Sequence, residues 1–290
     1  MEKIAEMPEV WPGPMEGVAS AAFVRAANSL MLAPRWMTPF IRLSVAVPKK
    51  NRLKDLLAPF LDGGVPVTVQ LMGTDAGLIV RAAEVCLELG AGGMNLNFGC
   101  PSRRVVNGGA GGGALREPGR AAELLAAVGE ALPEVPLSVK MRSGWKDFSE
   151  FDEIVDRLLE TRAAQKFFVH HRTVAELYRE VPDRMERFDH IAAKCAGVPL
   201  ILNGDIADAA EARELVKRTG AAGVMCARTW MRDPFLLRRI AEKNAPDPET
   251  GRETFYAELV RSGVAGGALI ELAKLLFGAA DPRFRKLIGR

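Results

Sequence analysis

The sequence predicts an α/β protein in which eight parallel strands and their crossovers close into a (β/α)8 barrel, with a short helical extension at the C-terminus. Three observations predict it. Eight short apolar runs alternate with amphipathic stretches of helical length between Val10 and Cys226, the pattern of repeated β–α crossovers. Polar residues recur at the C-terminal ends of those runs, where a barrel opens its mouth. The length, 290 residues, and 48% hydrophobic against 26% charged side chains suit one large barrel and an extension, not three domains. Eight strands, each followed by a crossover, favour this TIM-barrel arrangement over an open doubly wound sheet.

Taken in order, the strands are expected at Val10–Met15, Trp36–Leu43, Pro66–Met72, Gly93–Phe98, Leu137–Met141, Lys166–His170, Pro199–Asn203 and Gly223–Cys226. Each is a short apolar run bounded by Gly, Pro, Asn or Asp. Between them, Ala76–Gly90, Gly119–Ala131, Glu150–Ala164 and Ala209–Thr219 carry apolar residues at helical spacing, so each reads as a crossover helix. The segment Asn244–Arg252, NAPDPETGR, is rich in Pro and polar residues and reads as a linker,. It divides a barrel domain, residues 1–243, from a helical C-terminal domain, residues 244–290, with helices expected at Glu253–Arg261, Leu269–Phe277 and a basic piece from Asp281. The glycines at 108–113 lie well past the fourth strand, which favours a flexible substrate-facing loop over a dinucleotide-binding turn,.

Composition narrows the function. No apolar run reaches the roughly 18 residues of a membrane span, and Met1–Val10 carries three glutamates without a signal-peptide pattern,. Cys86, Cys100, Cys195 and Cys226 show neither CxxC nor Cys/His spacing, which argues against zinc and against a disulfide framework and favours a reducing, cytoplasmic setting. Net charge is only +3. Its distribution says more: residues 1–228 balance 28 basic against 28 acidic side chains, whereas residues 229–290 hold 11 against 8. Two readings of that basic tail stand: a solvated helical surface, or a contact for an anionic partner such as RNA.

If the barrel is right, its strand ends gather Gln70; Asn95, Asn97 and Cys100; Lys140 and Arg142; His170; Asn203-Gly204-Asp205; and Arg228 around one mouth,. A lysine inside the apolar run LSVKMR requires something anionic or electron-rich to receive it. His171 and His190 lack metal-ligand spacing and read as structural, and Trp11, Trp36, Trp145 and Trp230 form no helical stripe, so burial is the expectation for the tryptophans.

The strings PMEGV at Pro14–Val18, VQLMG at Val69–Gly73, NLNFGCPSRRVVNGGAGGGAL, PLSVKMRSGW, FFVHHRT and ILNGD occur in this order. Together they resemble the tRNA-dihydrouridine synthases, flavin-dependent reductases built on an FMN-binding barrel, over roughly residues 12–240. The spelling around NxGCPS is similar to that of the bacterial C-type subgroup. The resemblance implies reduction of uridine to 5,6-dihydrouridine in tRNA or another structured RNA. FMN is the implied cofactor and NADPH or NADH the reductant, in a monomer without metal or membrane association. Pro14, Met15 and Glu16 would contact the flavin, Gln70 would bond its pyrimidine edge, and Lys140 would sit on its N1/O2 side with His170 beside it,. Asn203, Gly204, Asp205, Ala227 and Arg228 would cradle the FMN phosphate,. Cys100 matches the family's catalytic cysteine, giving a proton to C5 while hydride reaches C6,. Arg42, Asn97, Arg142 and Tyr178 match or adjoin positions that touch RNA and would hold a flipped base,.

Four positions depart from the family's usual residues: Pro39, His171, Val174 and Ala227. Alanine still offers its N–H to a phosphate if its φ is negative. The segment after the linker is also shorter than the helical domain that usually grips tRNA. These departures keep two alternatives open: a flavin barrel reductase of a small molecule, and a non-catalytic RNA-binding descendant.

Overall fold

The apolar runs become strands of a parallel sheet because most are buried on both faces. Burial is unbroken along Gly93–Phe98, Leu200–Asn203 and Gly223–Cys226, as expected where helices cover one face and a barrel interior the other. The computed structural model describes residues 7–289; Met1–Glu6, which open the barrel segment and make up most of the stretch expected to carry no signal peptide, and Arg290 of the basic tail lie outside the described residues. The strands are β1 (Glu9–Pro12), β2 (Trp36–Met37), β3 (Ile41–Arg42), β4 (Val67–Met72), β5 (Gly93–Phe98), β6 (Leu137–Arg142), β7 (Lys166–His170), β8 (Leu200–Asn203) and β9 (Gly223–Cys226). Hydrogen bonds connect them in the order β1-β9-β8-β7-β6-β5-β4-β2, with β3 also on β4, and every pair is parallel. The ends of that path, β1 and β2, lie against each other without a described ladder, so the sheet is a nearly closed TIM barrel.

Successive side chains alternate between two packing layers. Trp11, Met37, Phe168, Ile201 and Met225 form one cluster inside the barrel, with Trp11 edge-on to Phe168 at 5.0 Å between ring centroids. Their neighbours Val10, Phe167, Val169, Leu200, Leu202 and Val224 join the larger core between sheet and helices. Residues in phase with the first set, including Asn95, Asn97, Ser138, Lys140, His170 and Asn203, therefore face inward.

The expected helices at Gly119–Ala131 and Ala209–Thr219 form as Pro118–Ala131 and Ala209–Thr219, the latter capped by Asp208 and closed by Gly220 at φ +69°,. The helix expected at Ala76–Gly90 ends at Glu88. The one expected at Glu150–Ala164 is the shorter Phe151–Glu160, and Arg162 beyond it takes a left-handed φ of +53°.

Three expectations need correction. The first strand stops at Pro12 rather than Met15, which leaves Pro14–Glu16 in the following loop. The second divides into β2 and β3 around Thr38-Pro39-Phe40, because proline has no N–H for the ladder. The Asn244–Arg252 linker is helical in its second half: a helix spans Pro248–Arg261, with Pro248 in its first turn and Asp247 accepting from Glu249 N–H and Thr250 N–H,. Phe255 of this helix packs edge-on against Phe23 at 5.4 Å, and Trp230 against the same ring at 5.9 Å. The tail's Leu259, Leu272 and Leu276 belong to the same apolar cluster as the barrel.

Candidate active site

Strand register sets the inward polar groups in level rows. Gln70 on β4 aligns with Asn95 on β5 and Ser138 on β6. One step nearer the mouth Asn97 aligns with Lys140, and at the rim Arg142, His170 and Asn203 align across β6, β7 and β8. The lower row is a buried chain of hydrogen bonds. Asn95 donates to Ser138 Oγ at 2.9 Å, Gln70 Nε2 donates to Asn95 Oδ1 at 2.8 Å, and Asn97 Nδ2 donates to Gln70 Oε1 at 2.8 Å. Asn97 Oδ1 then accepts from Gly99 N–H at 3.0 Å and Cys100 N–H at 2.9 Å. Gln70 and Asn97 thus lie beneath the mouth with their amides engaged, and they hold the turn that carries the cysteine.

Cys100 is half-buried, whereas Cys86, Cys195 and Cys226 are buried. Burial pushes the thiols of Cys195 and Cys226 up to about 12 and that of Cys86 to about 11. Burial also raises Cys100, and the Glu16 carboxylate adds to this, while Ser102 N–H, Arg142 and Lys140 pull the other way. The thiol therefore keeps its proton at neutral pH. Lys140 makes no hydrogen bond or ion pair among the described residues; burial and then repulsion from Arg142 lower it to about 8. Burial and the cations Arg142 and Lys140 hold His170 well below the usual imidazole value. Its Nδ1 accepts from Arg172 N–H at 3.1 Å, so the neutral ring carries its proton on Nε2.

Arg142 is 4% exposed and acts as a clamp. Its Nε donates to Gly99 C=O at 3.1 Å, and Nη1 donates to Thr173 C=O at 2.8 Å and Leu177 C=O at 2.7 Å. Tyr178 is exposed, with the guanidinium carbons of Arg142 and Arg228 each 5.5 Å from its ring centroid. Arg42 stands apart on β3 and donates to Arg104 C=O at 3.3 Å.

The glycine segment is not the expected flexible loop. Gly111–Arg116 forms a 3-10 turn with its three glycines buried. A Cβ on Gly112 would stand 2.6 Å from Val174 Cγ2 and 3.1 Å from Cys100 C=O, so glycine is required for the close approach. Val174 is accordingly a packing residue on the cysteine's loop.

Next along the rim, Asn203, Gly204, Asp205, Ala227 and Arg228 line a small cavity of about 40 Å3. Asn203 Nδ2 donates to Met225 C=O at 2.8 Å. Gly204 and Asp205 take positive φ values of +116° and +47°, and Ala227 has φ −117°, the negative value that lets alanine present its N–H. Asp205 is bonded by both Arg172 and Arg228, and these cations lower its carboxyl against the opposing effect of burial. Glu16, Lys140, His170 and Cys100 thus surround one mouth, with the backbone-lined cavity at its edge.

Sequence reasoning placed Asn95 at the mouth but gave it no role, and it did not single out Ser138 or Arg172. The first two were visible as polar residues at period two within apolar strands, and Arg172 as a charge beside the strand end at His170. His171, one of the four expected departures, has a fully buried ring that stacks on His170 at 5.1 Å and has no partner for either nitrogen among the described residues.

The family model for dihydrouridine synthases matches residues 12–264. A probable tRNA-dihydrouridine synthase of Rickettsia bellii is 34% identical over 244 residues, covering 82% of this chain and 74% of its own length. The tRNA-dihydrouridine(16) synthase of Vibrio cholerae is 32% identical over 243 residues, covering 81% and 74%. Among solved structures, a 2-naphthoyl-CoA reductase complex superimposes with a TM-score of 0.64 at 12% identity, over 87% of this chain and 53% of that one. The aldolase QR15 does so at 0.55 and 13% identity, over 82% and 96%. At these identities the two structures speak for the fold alone. Among the described residues no helix is long and apolar enough to cross a membrane, and no cluster of three His, Cys, Asp or Glu could hold a metal ion.

Proposed function

This chain belongs to the dihydrouridine synthase family, and on that premise we propose that it reduces uridine to 5,6-dihydrouridine in RNA, with tRNA as the substrate, FMN as the cofactor and NADPH or NADH as the reductant. The family makes it a flavin-dependent oxidoreductase. The observation that carries the detailed reading is the convergence of a protonated thiol, an unpartnered lysine and a neutral histidine at one mouth. These groups fit a phosphorylated flavin. Lys140 has no protein acceptor among the described residues, His170 offers Nε2–H, and the cavity formed by Asn203, Gly204, Asp205, Ala227 and Arg228 fits an anion at the rim,.

Bound in its reduced form, the flavin supplies the hydride that adds to C6 of uracil. Cys100 gives its Sγ proton to C5, and burial keeps that proton in place at neutral pH,. The ladder from Ser138 through Asn97 fixes the Cys100 turn, and Arg142 fixes the same turn from the other side,. Lys140 and His170 would hold the electron-rich edge of the flavin, Pro14–Glu16 would border it, and Gln70 would close the floor. Arg42 and Tyr178 would receive an extruded nucleoside, with the Arg142 guanidinium 5.5 Å from the Tyr178 ring,.

Cys100→Ala tests this reading. On unmodified tRNA transcript the variant is expected to lose about 10² to 10⁴ in rate while keeping its flavin. A flavin-loaded wild-type protein that forms no dihydrouridine in any tRNA would overturn it.

A further inference from the structure

Asp205 sits between two arginines of different freedom. Its Oδ2 is bonded by Arg172 Nη2 and its Oδ1 by Arg228 Nη2. The Arg172 side chain is 2% exposed, whereas that of Arg228 is 52% exposed, so the first is fixed in place and the second is free to swing. The backbone of Asp205 is pinned as well: Arg184 donates to its carbonyl oxygen and pairs with Glu211. What can turn at this residue is the carboxylate.

Arg172 reaches three parts of the mouth. Its N–H donates to His170 Nδ1 at 3.1 Å. Its Nη2 holds Asp205 at the edge of the small cavity, and its Nε donates to the Arg179 carbonyl oxygen. Arg179 follows Tyr178, so this last bond anchors the far end of a loop whose near end, at Thr173 and Leu177, is held by Arg142. The remaining nitrogen, Nη1, is buried and has no partner among the described residues. A buried donor without an acceptor is costly. The carboxylate that Nη2 holds has its second oxygen on Arg228, and release of that oxygen would let Arg172 take both in a two-pronged pair. A phosphate monoester in the cavity supplies the release. Arg228 and Asp205 both line that cavity, and a dianion outcompetes a carboxylate for the exposed guanidinium.

We propose that Arg172 is a positioning residue that links the phosphate cavity to the Tyr178 loop: when a phosphate monoester takes Arg228, Asp205 turns both oxygens to Arg172, and the anchor on Arg179 stiffens. The proposal rests on the reading that the cavity holds the flavin phosphate. It makes cofactor loading and the ordering of one side of the mouth a single, reciprocal event.

The test is amide hydrogen exchange, read by mass spectrometry, of the full chain reconstituted with FMN or with riboflavin, which has no phosphate. In wild type the amides of residues 178–181 are expected to exchange about tenfold more slowly with FMN than with riboflavin, while the helix Ala76–Glu88 exchanges alike in both,. In Arg172→Lys, which keeps the charge and loses the fork, the two flavin forms should exchange alike. By reciprocity, FMN affinity should fall about tenfold in this variant while riboflavin affinity holds; a merely structural role would lower both. Asp205→Asn should likewise erase the difference in exchange, and it carries the test if Arg172→Lys does not fold. Wild-type protein that prefers FMN to riboflavin yet shows equal loop exchange overturns the link and leaves the cavity's assignment intact, as does protection that survives both variants. Equal affinity for the two flavins overturns the assignment of the cavity, and the link with it.

Discussion

At the residue scale, His171 shows how a single departure from the family pattern leaves a measurable mark. Its imidazole is buried beside Phe188 at 5.1 Å, and neither ring nitrogen has a partner. Burial first, and then the Arg172 cation, lower it to about 4. The unfolded chain protonates this side chain near the ordinary 6.5, so between those values it binds more protons than the folded chain does, and stability falls as pH drops,. Between pH 7 and 5 the site should remove about 2 kcal/mol of stability. Urea midpoints of wild type and His171→Phe at the two pH values check this: the variant should lose less on acidification by that amount, and equal losses would refute the assignment.

At the scale of elements, the barrel closes where β1 meets β9, and Gly223 permits that contact. A Cβ there would stand 2.0 Å from the Glu9 carbonyl oxygen on β1. No rotamer relieves a clash with backbone. Gly223→Ala should therefore cost at least about 3 kcal/mol, read from denaturant unfolding by circular dichroism; a near-neutral effect would show that the strands part easily. Elements such as Gly93–Phe98 and Ala209–Thr219 were legible because apolar period and boundary residues agreed. The break at Pro39 and the helix start at Pro248 were harder to read, since proline marks both the end of an element and the first turn of a helix. The site shows the same division. Strand-end position was enough to bring Cys100, Lys140 and His170 to one mouth. The engagement of Gln70 with Asn95 and the clamp made by Arg142 depend on register between strands far apart in sequence, which local pattern does not encode.

At the scale of the whole molecule, barrel and tail share one apolar core through Phe23, Trp230, Phe255 and Leu259. We therefore expect a single calorimetric transition, and Phe255→Ala should destabilise the entire chain by about 3 to 5 kcal/mol. A second transition at lower temperature, shifted alone by that substitution, would show that the tail unfolds by itself. The guanidinium of Arg142 ties three carbonyls from two loops, so one bank of the opening is stiff and its thiol and aromatic rim travel together. The other bank begins at the seam between β1 and β2, where no rungs are described. We therefore expect any widening of the opening to come from the β1–β2 side, with backbone amides there exchanging faster than those of the turn that Arg142 braces,.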